Sequence, residues 1–131
     1  MNLLMDTHVW IWSLLEPTKL ARKVTKALHN PENELWLSPI STWEFLVLVK
    51  RRRIRLRQEV DQWLREALSK APLREAPVTH EIVMEMNAFD LPHTDPADRF
   101  LVATARHLGL TLVTADRRIL ESKACPMLRN T

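Results

Sequence analysis

One glycine, one cysteine and no tyrosine occur among the 131 residues of this sequence. The single Cys125 excludes an internal disulfide, and no His or Cys residues surround it at the spacing of a zinc site. A chain of this length can bury enough apolar surface to fold without disulfides or a structural metal. We therefore expect residues 1–131 to form a single domain that works in a reducing, cytoplasmic setting.

Long hydrophobic runs and a strong excess of one charge are also missing. No apolar segment reaches the ~20 residues that a membrane-spanning helix needs. Met1 is followed closely by Asp6, with no basic leader, so we expect no secretory signal and no membrane contact. The 19 Lys and Arg residues against 16 Asp and Glu residues give a formal net charge of +3, which favours an anionic partner only mildly.

What the sequence does contain is a regular alternation of short apolar strands with helices. This alternation predicts an α/β fold with a mostly parallel sheet, because parallel strands need helical crossovers. The predicted strands span residues 2–5, 34–37, 73–76, 110–114 and 126–129. The predicted helices span 7–15, 18–29, 40–50, 58–71 and 117–122, with two more that begin at Thr79 and Asp95, the second ending at Gly109.

Two of the predicted strands deliver an acid at their carboxyl ends. Asp6 follows the strand 2–5, and Asp116 follows the strand 110–114. In open α/β sheets ligands bind at this edge, which makes both acids candidates for a functional site. Capping of the following helix explains Asp6 equally well, so its position alone does not decide between the two roles.

Three further acids belong to two predicted helices. Asp95 is a good N-cap and Pro96 fits the first helical position, but capping explains Asp98, in the first turn, less well. Glu44 is the only acid in the helix 40–50, which is apolar on nearly every face. A buried carboxylate needs an arginine partner, a raised pKa or a metal ion shared with other acids.

The isolated acids point to a metal ion. Carboxylates that share a cleft need a cation to hold them together, and oxygen ligands select hard ions such as Mg²⁺ or Mn²⁺. Zinc is disfavoured because His8, His93 and His107 are scattered at no zinc-ligand spacing. A Mg²⁺ or Mn²⁺ ion can orient water, lower its pKa and neutralise charge on a phosphodiester.

A dense run of cations follows Glu44. Six of the eight residues from Lys50 to Arg57 are basic, at the end of the helix 40–50 and just after it. This run offers contacts to phosphate groups, although a solvated helix end stabilised by the helix dipole explains any single arginine at least as well. Its first arginines lie about two turns from Glu44, beyond the spacing at which side chains on one helix meet.

Four segments closely resemble the PIN-domain ribonuclease toxins of VapC type, in the correct order and across almost the whole chain. They are residues 5–10 (MDTHVW), 38–44 (SPISTWE), 93–99 (HTDPADR) and 112–116 (LVTAD). The resemblance implies a PIN-like three-layer α/β fold, with a twisted, mostly parallel sheet flanked by helices. It also implies an endoribonuclease that uses Mg²⁺ or Mn²⁺, with RNA as substrate, a cognate antitoxin as partner and a homodimeric assembly.

The resemblance assigns roles to individual residues. The metal-site acids that it implies are Asp6, Glu44, Asp98 and Asp116, with Asp95 as a supporting carboxylate. The residues that would orient these acids or water are Thr7, Ser41 and Thr114. From their charge, the arginines that we expect to bind the substrate are Arg51, Arg52 and Arg53, with Arg99 and Arg117 as further candidates.

The chain departs from the family pattern at two positions. Ala97 precedes Asp98, where close relatives often carry an aromatic residue, and the usual glycine after the Glu44 helix is replaced within the arginine run. Neither departure removes an acid. Both bear on the choice of substrate and on the shape of a loop.

Three other functions are open to the same residues. A noncatalytic, PIN-like nucleic-acid adaptor would use the basic run, but it has no reason to retain four acids that repel phosphate. A DNA nuclease would share the metal site. A phosphoryl-transfer enzyme with Asp6 as nucleophile usually needs a second acid two residues on, where this chain has His8.

Overall fold

The sheet is parallel throughout, as the alternation of elements predicts. The structure is a computed structural model that describes residues 1–91 and 95–131. Within these residues, five strands pair in the order β3-β2-β1-β4-β5. Their bounds are β1 Asn2–Met5, β2 Glu34–Leu37, β3 Leu73–Glu75, β4 Thr111–Thr114 and β5 Met127–Arg129.

Helices cover both faces of this sheet. Their bounds are α1 Thr7–Leu15, α2 Arg22–His29, α3 Pro39–Lys50, α4 Val60–Ser69, α5 His80–Glu85, α6 Pro96–Leu108 and α7 Arg117–Ser122. Two short 3₁₀ turns, Pro17–Lys19 and Met86–Ala88, join or extend them. The predicted α/β class, with a parallel sheet between helical layers, is confirmed. No helix in the described part of the chain is long and apolar enough to cross a membrane.

Alternating side chains of the central strands build a separate core on each face. Leu3 and Met5 pack with α1 to α4, whereas Leu4 packs with α6 and α7. In the neighbouring strand β4, Val113 joins the first core and Leu112 the second. Since successive residues of a strand point to opposite faces, this division accounts for strands that are apolar at every position.

The helix ends follow from local sequence. Ser38 accepts a hydrogen bond from Ile40 N, and Pro39 occupies the first position of α3. Gly109 ends α6 in the left-handed conformation with φ +67°, which glycine adopts without strain. Ser38 directly follows β2, so α3 starts at the carboxyl edge of the sheet, whereas Gly109 precedes β4, so α6 ends at the opposite edge.

The predicted helix over residues 18–29 is wrong in its first part. A 3₁₀ turn ends at Lys19, and α2 begins only at Arg22. The side chain of Asn130 accepts a hydrogen bond from Ala21 N at 2.6 Å and donates one to Lys19 O at 3.1 Å. These two bonds satisfy backbone groups that a continuous helix would otherwise pair, so a residue far along the chain sets the break.

Two smaller corrections concern the helices predicted over 58–71 and from Thr79. The first is shorter at both ends and spans Val60–Ser69. The second becomes a 3₁₀ turn after Glu85, and Met84 on it is 62% exposed.

Candidate active site

Five acids line one cleft at the carboxyl edge of the sheet. The cleft has a volume of about 280 Å³ and is lined by Asp6, Thr7, His8, Trp12, Glu44, Asp95, Asp98, Ala115 and Asp116. One acid each follows the strands β1 and β4, the second turn of α3 carries Glu44, and the start of α6 carries Asp95 and Asp98. This is the edge at which ligands bind in parallel α/β sheets.

Asp6 is the most deeply buried of these acids, with 7% of its surface exposed. Its Oδ1 accepts a hydrogen bond from Val9 N at 2.8 Å, which caps α1, and its Oδ2 accepts one from the Thr114 hydroxyl at 2.5 Å. Its backbone N–H donates to Val113 O at 3.0 Å. Burial raises the pKa of Asp6 despite these hydrogen bonds. Asp6 thus performs the capping role and faces the cleft as well.

Glu44 is held by two hydroxyl groups and not by an arginine. The Thr7 hydroxyl donates to Glu44 Oε1 and lies 2.9 Å from the Ser41 hydroxyl. Because a hydroxyl carries one hydrogen, Thr7 accepts from Ser41 whenever it donates to ionised Glu44. Burial is the main cause of the raised pKa of Glu44, and the charge of Asp95 raises it further.

Asp98 faces the charges of all four other acids of the cleft. It is half-buried in the first turn of α6, where its backbone N–H donates to Asp95 Oδ1 at 3.1 Å. Burial first, and then the charges of Asp95, Asp116, Glu44 and Asp6, raise the pKa of Asp98 to about 7. Its carboxyl group therefore gains or loses its proton near neutral pH.

Asp116 is joined to Asp6 through a shared threonine. The Thr114 hydroxyl accepts a hydrogen bond from Asp116 N at 3.0 Å while it donates to Asp6. Asp116 Oδ1 caps α7 by accepting from Arg118 N at 2.8 Å and from Ile119 N at 3.3 Å. Thr114 therefore fixes the relative positions of the two acids that follow β1 and β4.

None of the five acids forms an ion pair within residues 1–91 and 95–131. The described residues therefore provide no arginine partner for Glu44, which was the first of three explanations for a buried carboxylate at this position. The other two explanations are a raised pKa and a shared cation. They are compatible, because a bound cation restores the charged form of acids whose pKa is raised.

The donor set fits a hard divalent cation. Every oxygen donor in the lining comes from a carboxylate, a hydroxyl or the backbone, which is the ligand chemistry of Mg²⁺ and Mn²⁺. In the described part of the chain, no three His, Cys, Asp or Glu side chains already stand at ligand distance from a common point. Binding a cation would therefore require the repelling carboxylates to draw closer together.

The arginines expected to bind substrate lie outside this cleft lining. Arg51, Arg52 and Arg53 are exposed at the far end of α3. Arg117 has 90% of its side chain exposed and pairs with Glu121 at 3.5 Å. Arg99 is half-buried, and its Nε has no hydrogen-bond partner among the described residues.

Three residues of the lining, His8, Trp12 and Ala115, were not predicted as site residues. His8 and Trp12 belong to α1, and Ala115 lies between Thr114 and Asp116. His8 and Trp12 are four residues apart, so they lie one turn apart on the same face of α1. This spacing is the signal from which the sequence could have placed the two side chains together. His93 lies outside the described residues.

Comparison with known proteins identifies similar sequences. The family described as PIN domain matches residues 3–124. Ribonuclease VapC22 of Mycobacterium tuberculosis (strain ATCC 25618 / H37Rv) is 34% identical over 121 residues, which span 90% of this chain and 89% of that protein.

Solved structures share the fold over nearly the whole chain. VapBC2 from Rickettsia felis, bound to a DNA fragment from its promoter, superposes with a TM-score of 0.73 at 12% identity and 98% coverage of both chains. DNA-bound VapBC from Salmonella typhimurium gives a TM-score of 0.73 at 16% identity, covering 100% of this chain and 99% of that one. At these identities the likeness shows the fold alone.

Proposed function

The chain belongs to the PIN-domain family, and on that premise we propose that it is a metal-dependent endoribonuclease, the toxin of a toxin–antitoxin pair. The observation that carries this proposal is the cleft in which Asp6, Glu44, Asp98 and Asp116 lie together, without an ion pair among the described residues. Helix capping explains Asp6 and Asp116, but neither Glu44 nor Asp98 caps a helix, and burial opposes the charge of both. A cation that engages a phosphodiester gives all four acids a use.

The residues that would hold the cation are Asp6, Glu44, Asp98 and Asp116. When bound, Mg²⁺ or Mn²⁺ supplies an activated water at neutral pH and neutralises negative charge on the phosphodiester. Thr114 holds Asp6, and the Ser41–Thr7 pair holds Glu44, so these two carboxylates keep their orientation before any ligand arrives. Asp98 must lose its proton before it can serve as a ligand, because its pKa is about 7.

Asp95 has a supporting role in this proposal. Its Oδ1 caps α6 through Asp98 N, which fixes the first turn and thereby the position of Asp98. Its charge also raises the pKa values of Asp98 and Glu44, so it strengthens the attraction of the cleft for a cation.

We propose a cognate antitoxin as the protein partner, a homodimer as the assembly and the cytoplasm as the compartment. The support for the antitoxin is the likeness to a VapC ribonuclease and to VapBC complexes. Exposed apolar side chains on α5, namely Val83 and Met84, leave surface for such contacts. Light scattering on the purified chain should give the mass of a dimer, and a monomer at all concentrations would contradict that part of the proposal.

The experiment that tests the activity is incubation of the purified chain with total cellular RNA and Mg²⁺ or Mn²⁺, followed by mapping of the new RNA ends. We expect defined cleavage sites that disappear when EDTA is added. The matched control is Asp116→Asn, because asparagine can still cap α7 through its side-chain oxygen while the negative charge is lost.

Two further arms separate the competing functions. Single-stranded and duplex DNA of the same sequence test for a DNA nuclease. Binding of RNA without cleavage in either metal would indicate the noncatalytic adaptor. Cleavage that survives both EDTA and Asp116→Asn would contradict the proposed metal-dependent mechanism.

A further inference from the structure

One wall of the acid cleft is aromatic. His8 and Trp12 both line the cleft, and their ring centroids are 5.8 Å apart with an angle of 52° between the ring planes. The two residues are one turn apart on α1, so they present adjacent rings on one face of the helix. The five acids line the same cleft, so this aromatic wall borders the position that the phosphodiester would take.

Trp12 is not needed to fill the core. The three preceding residues of α1, from Val9 to Ile11, are buried, and Trp10 is 1% exposed, packing edge-on against Phe45 at 5.8 Å between ring centroids. Trp12 is only half-buried, because it lies on the side of α1 that faces the cleft. The part of the Trp12 ring that the core does not cover is therefore accessible to a ligand in the cleft.

A cation adjoins this ring. Lys19 Nζ lies 5.6 Å from the centroid of the Trp12 ring. It also pairs with Glu16 at 3.1 Å, but both side chains are about half exposed, and exposed ion pairs are weak. Lys19 can therefore exchange this pair for a contact to a phosphate group at small loss.

An aromatic ring with a neighbouring cation is the arrangement with which proteins bind single-stranded nucleic acid. Bases stack on the ring, and the cation contacts the backbone phosphate. In a duplex the bases are already stacked on one another, so only an unpaired nucleotide can use such a ring.

We propose that the Trp12 ring is a stacking platform for one unpaired nucleobase next to the scissile phosphate, with His8 bordering it, while Lys19 contacts the phosphate of that nucleotide. This proposal rests on the proposed function, because it assigns a base-binding residue to the same cleft.

The test measures the affinity of a short fluorescein-labelled, single-stranded RNA and of a series in which one base at a time is removed. All proteins carry Asp98→Asn, which blocks cleavage and lowers the repulsion of RNA. The variants are Trp12→Leu, which keeps an apolar side chain without a ring, and Trp12→Phe, which keeps a ring. The matched control is Trp43→Leu, because Trp43 is 58% exposed on α3 and lies outside the acid cleft.

We expect Trp12→Leu to raise the Kd by roughly 5- to 150-fold, the range measured for loss of one base–aromatic stack. Trp12→Phe should restore most of the affinity, and Trp43→Leu should leave it unchanged. Removal of one particular base should weaken binding to the parent protein and have no further effect on Trp12→Leu. Circular dichroism melting of each variant separates loss of stacking from loss of the fold.

A Kd for Trp12→Leu equal to that of the parent, or a base-removal effect that persists in this variant, overturns the platform. This test is independent of the test of the proposed function, which measures RNA cleavage by the unmodified chain in Mg²⁺. Cleavage with an unchanged KM in Trp12→Leu leaves the nuclease standing and removes the platform. Base-dependent binding through Trp12 without any cleavage supports the platform and overturns the proposed nuclease. A chain that neither binds nor cleaves single-stranded RNA overturns both proposals.

Discussion

At the scale of single residues, hydroxyl groups hold the acids of the cleft in place. Thr114 connects Asp6 with the backbone of Asp116, and Thr7 connects Glu44 with Ser41. The sequence predicted which acids come together, because strand ends and helix starts lie at one edge of a parallel sheet. The hydroxyl contacts come from pairs that are distant along the chain, so local spacing could not predict them without the family resemblance.

The role of Asp98 is separable from that of Asp95 by substitution with asparagine. Asp98→Asn should abolish metal-dependent RNA cleavage and leave the metal-free protein equally stable or more stable, because it removes a repelled, half-buried charge. Asp95→Asn should lose less activity, since asparagine is also a good N-cap. Cleavage rates and urea denaturation of both variants provide the measurement. Equal and complete loss of cleavage in both would show that capping and metal binding are not separable here.

At the scale of an element, the end of α3 carries a strained arginine. Arg52 N donates to Val49 O at 3.0 Å and Arg53 N donates to Leu48 O at 2.9 Å, and Arg52 has φ +58°. This is the helix end at which glycine is usual, and an L-residue with a side chain is strained there. The sequence showed that the family's glycine is missing, but only the backbone shows which arginine stands in its place.

Arg52→Gly should therefore stabilise the protein, with a gain of roughly 1 kcal/mol in the free energy of unfolding from relief of the left-handed strain. The measurement is urea denaturation. Arg53→Gly is the matched control: it removes the same charge from the next residue, which has no positive φ, and it should destabilise through the greater freedom of the unfolded chain. Stabilisation by both variants would point to relief of charge repulsion instead of backbone strain.

The same pair of positions tests whether the basic run binds RNA. The double variant Arg52→Gly, Arg53→Ala should raise KM with little change in kcat, because the run lies outside the acid cleft. The slope of log Kd against log salt should fall by roughly 0.7 for each lost single-strand phosphate contact. An unchanged slope with loss of antitoxin binding would make the run a protein interface. If neither changes, the arginines are a solvated helix end.

Most helices and strands were predictable from the sequence, and the errors of that prediction have a physical cause. Strand and helix positions followed from apolar periodicity and from caps such as Ser38, Thr79 and Gly109. The break before α2 was missed because Asn130, more than a hundred residues away, satisfies the backbone there. Contacts of this kind leave no local pattern in the sequence.

At the scale of the whole molecule, the acid cleft makes stability depend on pH. The pKa values of Asp6, Glu44 and Asp98 are all raised in the folded protein, so between the ordinary carboxyl range and about 7 it binds more protons than the unfolded chain. Stability of the metal-free protein should therefore fall as pH rises through this window.

Urea denaturation in EDTA from about pH 5 to about pH 8 measures this fall. Asp98→Asn should flatten the curve near neutral pH, because the group whose pKa is about 7 is then absent. Saturating Mg²⁺ should reverse the trend, since cation binding favours the charged acids. A metal-free stability that rises with pH and is the same in wild type and Asp98→Asn would contradict the electrostatics of the cleft.

The alternation of strands and helices predicted an α/β fold with a mostly parallel sheet, because parallel strands need helical crossovers, and the family resemblance implied the three layers. The positions of the substrate-binding arginines and of the aromatic wall were not predictable in the same way. They depend on how α1 and α3 are rotated about their axes relative to the cleft, which a helical period alone does not fix when nearly all faces of a helix are apolar.

The central claim, that the acids of this cleft bind a divalent cation, is tested most directly by calorimetric titration of Mn²⁺ at about pH 6.5 in two buffers of different ionisation enthalpy. Wild-type protein should bind Mn²⁺ and release protons on binding, because Asp98 with a pKa of about 7 must ionise to become a ligand. Asp98→Asn should bind much more weakly and release fewer protons. Absence of Mn²⁺ binding by the wild-type protein, or an equal affinity and proton count in Asp98→Asn, would contradict the claim.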